Sequence, residues 1–112
     1  MTNDDAPRYV QVTTTLENRD DAERLAREVL EARLAACAQI QGPIASRYRW
    51  KGALETADEW LCTFKTAARA LPLLVHALEA RHPYETPEII ALPILGGGAA
   101  YLRWIDAEVV EP

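Results

Sequence analysis

The hydrophobic positions of this chain change period along its length, and each change marks an element boundary. Arg8 to Thr15 (RYVQVTTT) is aromatic and β-branched without a breaker, which predicts a strand. Asn18 then offers a helix cap, with Asp20 and Asp21 in the first turn, where the helix dipole favours carboxylates. Ala22, Leu25, Ala26, Val29 and Leu30 follow at helical spacing with charged residues between them, so an amphipathic helix is expected to about Ala36. Ile44 to Lys51 returns to a period of two, with Ile44, Ser46, Tyr48 and Trp50 on one face and Arg47, Arg49 and Lys51 on the other. A further strand begins at Leu54. A three-residue loop at Lys51, Gly52 and Ala53 sets Trp50 against Leu54, Arg49 against Glu55 and Ile44 against Trp60, whereas a two-residue loop sets Ile44 against Glu59, a poorer match. The longer loop is therefore expected. It puts Trp60, Cys62 and Phe64 on the face of Trp50, in a hairpin whose arms exceed the usual five or six residues.

Pro72 suits the first turn of a second helix, with Leu74, Val75, Ala77 and Leu78 as its apolar stripe and Pro83 as its stop. Pro87 to Leu95 (PEIIALPIL) reads as a strand in which Pro93, lacking a donor, indicates an edge, a bulge or the strand's end. Gly96, Gly97 and Gly98 form a flexible turn, since they lack the Lys-Ser/Thr of a phosphate loop. Tyr101, Trp104 and Ile105 then recur at helical spacing. Strand, helix, strand, strand, helix, strand and a short C-terminal helix make the α+β, ferredoxin-like order, an antiparallel sheet with two helices on one face and a long central hairpin.

The chain has 112 residues, 49% of them hydrophobic, enough for one core and a single domain over residues 8 to 108. A formal charge of −5 argues against a nucleic-acid partner, because affinity for phosphate backbones comes from clustered Lys and Arg. The N-terminal stretch MTNDDAPRYV lacks the apolar core of a secretory signal, and no later run reaches the roughly 20 apolar residues that span a bilayer. A cytoplasmic protein without membrane contact is expected. Cys37 and Cys62 stand too far apart for a Cys-x-x-Cys motif and are read as buried, reduced thiols.

The chemistry concentrates in residues 80 to 89 (ARHPYETPEI), where His82, Glu85 and Glu88 are spaced three apart. An imidazole at His82 suits copper, zinc or nickel; the other reading is a histidine at a helix C-terminus, which the dipole favours. Glu85 can complete a metal shell or simply occupy the bend between two prolines. Glu88 opens a strand and can close a pocket with Lys65, or form a solvent-side ion pair. Tyr48, Trp50 and Trp104 are either a stacking platform or core and interface residues.

Five stretches, EARLAACAQI (31 to 40), SRYRWKGALE (46 to 55), FKT (64 to 66), HPYETPEIIALPI (82 to 94) and YLRWID (101 to 106), together resemble the CutA divalent-cation tolerance family, over about Tyr9 to Asp106. The resemblance implies a ferredoxin-like subunit in a homotrimer, similar in architecture to the nitrogen-regulatory PII proteins, tolerance of copper and other divalent cations, and no established catalytic activity. The copper site attributed to some members uses a Cys at the end of the first strand and two consecutive His before Pro-Tyr. Here those positions hold Thr14 (or Thr13, with a gap placed differently), Arg81 and His82, so one ligand of three remains. The expectation is a non-enzymatic homotrimer that binds a divalent cation or small ligand between subunits. Trp50, Lys65, Tyr84 and Glu88 line that cleft, and His82 and Glu85 hold copper weakly. The alternatives are a PII-like metabolite sensor, and an enzyme using Lys65, Tyr84 and Glu88 as acid/base groups.

Overall fold

A computed structural model describes residues 6 to 112. Its elements are β1 (Tyr9–Leu16), α1 (Arg19–Glu31), β2 (Cys37–Trp50), β3 (Ala53–Ala67), α2 (Leu71–Arg81) after a short 3-10 turn (Ala68–Ala70), β4 (Ile90–Ile94) and α3 (Ala99–Glu108). The strands form one antiparallel sheet in the order β2-β3-β1-β4, so the expected ferredoxin-like α+β fold is what the chain adopts. Pro93 lies opposite Val10 on the edge strand β4, where a missing donor costs no ladder bond on the outer side. β4 is shorter than the expected 87 to 95.

Alternation along β1 and β3 turns Val10, Val12, Leu16, Cys62 and Phe64 to one face, and there they meet Ala22, Leu25 and Val29 of α1 and Leu74 and Leu78 of α2. Asn18 caps α1 by accepting the Asp21 amide at 2.8 Å. The helix stops at Glu31, short of the expected Ala36. Arg33, at φ 60°, takes the left-handed conformation, its amide donates to Leu30 O and the Leu34 amide donates to Val29 O, the pair of bonds that closes a Schellman cap. The alanines that suggest continued helix therefore lead into β2, which begins at Cys37 rather than Ile44.

α3 docks through Ile105 and Val109 onto Ala67 and Ala70. Its last carbonyls, which have no partner within the helix, are met by two arginines: Arg69 reaches Asp106 O (2.9 Å) and Val109 O (3.0 Å), and Arg33 reaches Ala107 O (3.0 Å) and Glu108 O (2.9 Å).

The hairpin departs from its expected register. Trp50 pairs with Ala53, Arg49 with Leu54 and Ile44 with Glu59, which is the two-residue loop. Lys51 (φ 50°) and Gly52 (φ 82°) are both left-handed, as a type I′ turn requires, and that turn matches the right-handed twist of the strands. The favourable cross-strand pairs of the longer loop are worth only about 0.2–1 kcal/mol each and do not outweigh turn geometry. A shift of one residue reverses a strand's faces. Trp60, Cys62 and Phe64 accordingly lie on the face opposite Trp50, and Glu59 takes the place expected for Trp60. Near the helix-bearing body the pairing slips again between Gln41 and Ile44, at the cis bond Gly42–Pro43. Gly42 is needed there, since a Cβ would sit 2.8 Å from Trp60 Cε3.

Candidate functional site

β1 ends opposite Trp60, so residues 45 to 58 of the hairpin pair only with each other and project past the sheet. On the face away from α1 and α2, this projection and the segment after α2 enclose a cavity of about 600 Å³. One wall is Ser46, Tyr48 and Trp50 of β2 with Ala57 and Glu59 of β3, the other is Tyr84, Glu85, Thr86 and Glu88, and Thr15 and Glu17 close the end; Arg47 also lines it.

The segment carrying Tyr84 is fixed by His82. Its Nε2 lies 2.9 Å from Thr15 O and its Nδ1 lies 3.1 Å from the Tyr84 amide. A carbonyl only accepts and an amide only donates, so Nε2 carries the proton and Nδ1 the free pair: the ring is neutral, in one tautomer. Burial lowers the His82 pKa, against the Thr15 carbonyl and the Asp21 and Glu59 charges, which raise it. Tyr84, held beside the imidazole with ring centroids 4.7 Å apart, donates its hydroxyl to Glu59 Oε2 at 2.9 Å. Burial, then the Glu59 hydrogen bond and charge, push the phenol well above its usual range, so Tyr84 remains a donor at neutral pH. Glu59 is 7% exposed.

Of the residues expected to bind a ligand, Trp50, Tyr84 and Glu88 line this cavity and Glu85 joins them. Lys65 does not. It lies between Gln11 and Cys37 in register, toward the α3 end of the sheet, and its Nζ donates to Gln39 Oε1 at 2.6 Å. His82 is buried behind the cavity rather than lining it. Glu59 escaped the sequence reading, and the signal that reveals it is the Lys-Gly dipeptide at the hairpin tip, which sets the register.

The donor set can be tested against a divalent ion. Both His82 nitrogens are engaged, and among the described residues no three His, Cys, Asp or Glu side chains converge on a point that a metal could occupy. Thr14, which with Thr13 is one of the two positions where the resemblance puts a cysteine, is fully buried, and its hydroxyl has no partner among the described residues. These residues do not fit a tight transition-metal site within one subunit.

The fold and cavity together define a ferredoxin-like α+β protein with a ligand-sized recess on the face of its sheet away from α1 and α2. Residues 10–108 match the model of the CutA1 divalent ion tolerance protein family, and the chain belongs to that family. It superposes on the crystal structure of CutA1 from Oryza sativa with a TM-score of 0.91 and 37% identity, covering 95% of this chain and 97% of that one. The divalent-cation tolerance protein CutA of Thermus thermophilus is 40% identical over 94 residues, 84% of this chain and 91% of that protein. The human protein CutA is 42% identical over 91 residues, 81% of this chain and 51% of that protein. The chain spans between half and three fifths of the length of the plant and mammalian relatives. Among the described residues, no helix is long and apolar enough to cross a membrane.

Proposed function

We propose that this protein is a non-enzymatic homotrimer of the cytoplasm that takes a cation or small ligand in the cavity beside the hairpin. The observation that carries the trimer is the uncovered apolar surface: Tyr48, Trp50 and Leu54 on the projecting hairpin, with Ile90 and Leu92 on the edge strand β4, are all exposed. Copies that share their hairpins bury these side chains and remove the free edges of β2 and β4. The two unpaired cysteines agree with a reducing compartment. Copper binding is weak, on the order of micromolar or poorer, because recruiting His82 means giving up its bonds to Thr15 and Tyr84. A second reading, a small-metabolite sensor, is favoured by the size of the cavity, which exceeds what a bare ion needs.

Light scattering at micromolar concentration tests the assembly: a trimer mass is expected, and Trp50→Asp should break it while Arg24→Ala does not. A monomer mass for the wild type refutes the assembly. Calorimetric titration with copper at two pH values, for wild type and His82→Ala, tests the metal. Nanomolar affinity overturns the reading.

A further inference from the structure

We propose that α3 is a releasable strap, hinged at Gly96 to Gly98 and latched by Arg69, which opens as a unit while the sheet and its main core stay folded. The hinge is loosely surrounded. Leu95 before it is 98% exposed, and a Cβ built on Gly96 or Gly98 would stand in open space. Ala99, Ala100 and Tyr101 are exposed as well, and among the described residues no side chain caps the first turn. What holds α3 is gathered at its far end. Ile105 and Val109 are buried there against Ala67 and Ala70, in a hydrophobic cluster separate from the one that α1 and α2 form with the sheet. Alanines make a shallow floor, so opening exposes little apolar area, and the main core keeps all of its members.

Arg69 is the latch. Its Nη1 donates to Asp106 Oδ1 at 2.8 Å, its Nη2 to the carbonyls of Asp106 and Val109, and its Nε to Val110 O at 3.2 Å, with the Glu111 carboxylate 3.3 Å away. All of these acceptors lie on α3 or the residues just after it. Tyr9 donates to the other Asp106 carboxylate oxygen, and the Val110 amide donates to Arg33 O at 2.8 Å. Asp106 and Glu111 are both exposed enough for water to replace these bonds, so opening strands no charge in the core. A segment held by two buried side chains and by bonds at the surface opens below the cost of global unfolding. Release uncovers Ala36, Ala67 and Ala70, and also Cys37, beside which Tyr101 lies. Hinge, latch and floor stand at the end of the sheet opposite the projecting hairpin.

The test is amide hydrogen exchange of the full chain, read residue by residue by NMR. The amides of Leu102 to Val110 are expected to share one protection factor, about tenfold or more below those of the central strands β1 and β3. Arg69→Gln should lower protection in α3 about tenfold further, and Tyr9→Phe, which keeps the ring, about threefold, with β1 and β3 unchanged in both. Protection in wild-type α3 equal to that of β1 and β3 overturns the proposal. So does a loss graded from the helix ends that neither variant alters, which is ordinary fraying. An Arg69→Gln chain that loses protection equally in β1, β3 and α3 also overturns it, since α3 then belongs to the same cooperative unit as the core. If Arg69→Gln does not fold, Tyr9→Phe decides alone: α3 exchange unchanged in that variant refutes the latch.

Discussion

His82 makes the joint after α2 a neutral-imidazole lock, and acid should open it. The bonds to Thr15 O at 2.9 Å and from the Tyr84 amide at 3.1 Å need a proton on Nε2 and a free pair on Nδ1. A second proton would face the amide hydrogen directly. Burial holds the folded-state pKa below the ordinary value near 6.5, so between the two values the unfolded chain binds more protons than the folded one. The contribution of His82 to stability is therefore complete above about pH 6.5 and is lost as pH falls through the folded-state pKa, with a slope of at most about 1.4 kcal/mol per pH unit. His82→Ala removes both bonds, each worth about 0.5–1.5 kcal/mol, and leaves the Tyr84 amide without its acceptor, so a loss of about 1–3 kcal/mol at pH 8 is expected. Urea unfolding at half-unit steps from pH 5 to 8 is the assay, with exposed His76→Ala as the control. Below pH 6.5 the wild type and His76→Ala curves should fall more steeply than that of His82→Ala. If all three fall in parallel, the imidazole is not held neutral by these bonds and the reasoning is wrong.

Three further outcomes follow from single observations. Thr14→Val replaces a fully buried hydroxyl that has no partner among the described residues with a methyl of similar shape, and should stabilise the chain by about 1 kcal/mol, or about 4 °C in Tm by thermal unfolding; a loss would show that the hydroxyl is satisfied. Burial, with the Glu23 charge second, pushes the Cys62 thiol up to about 12, so a thiol reagent should titrate one cysteine, the half-buried Cys37, in the native protein and two in urea. Gly52→Ala, at φ 82°, should cost roughly 1–2 kcal/mol and Lys51→Asn should stabilise, since asparagine tolerates the left-handed position better; unchanged unfolding in both variants would contradict the type I′ turn.

The core of the fold was legible because its signals are local and repeated. The stripe Ala22, Leu25, Ala26 and Val29 is buried as its spacing indicates, Asn18 caps where it should, and Pro83 follows the end of α2 by two residues. Pro93 falls on an edge strand. What failed were boundaries governed by backbone conformation. Arg33 closes α1 in a left-handed conformation that sequence assigns to glycine, and it is retained by contacts far along the chain: its carbonyl accepts from the Val110 amide at 2.8 Å and its guanidinium caps α3. No local reading of Ala32 to Ala36 carries that information.

The site was legible in part, and for the same reason. Trp50, Tyr84, Glu85 and Glu88 stood out as residue types, and the cavity does gather them, but which residue faces them across the hairpin depends on register. With a three-residue loop, Trp60 shares a face with Trp50 and the recess is an apolar slot. With the type I′ turn, Trp60 is turned to the α1 side, where Arg19 lies 5.6 Å from its ring, and Glu59 enters the recess instead. One residue in a loop thus decides whether the open face offers a hydrophobic patch or a buried carboxylate among aromatic rings. The bend at Gly42 preserves the outcome: it lets Ile44 re-enter the ladder opposite Glu59 while Cys62 and Phe64, three and five residues on, stay in the core. A substitution at Gly42 that pushed Trp60 aside would therefore disturb the cavity through Glu59 before it disturbed the core, because Glu59 O is 3.0 Å from the added carbon and Glu59 is the anchor of Tyr84.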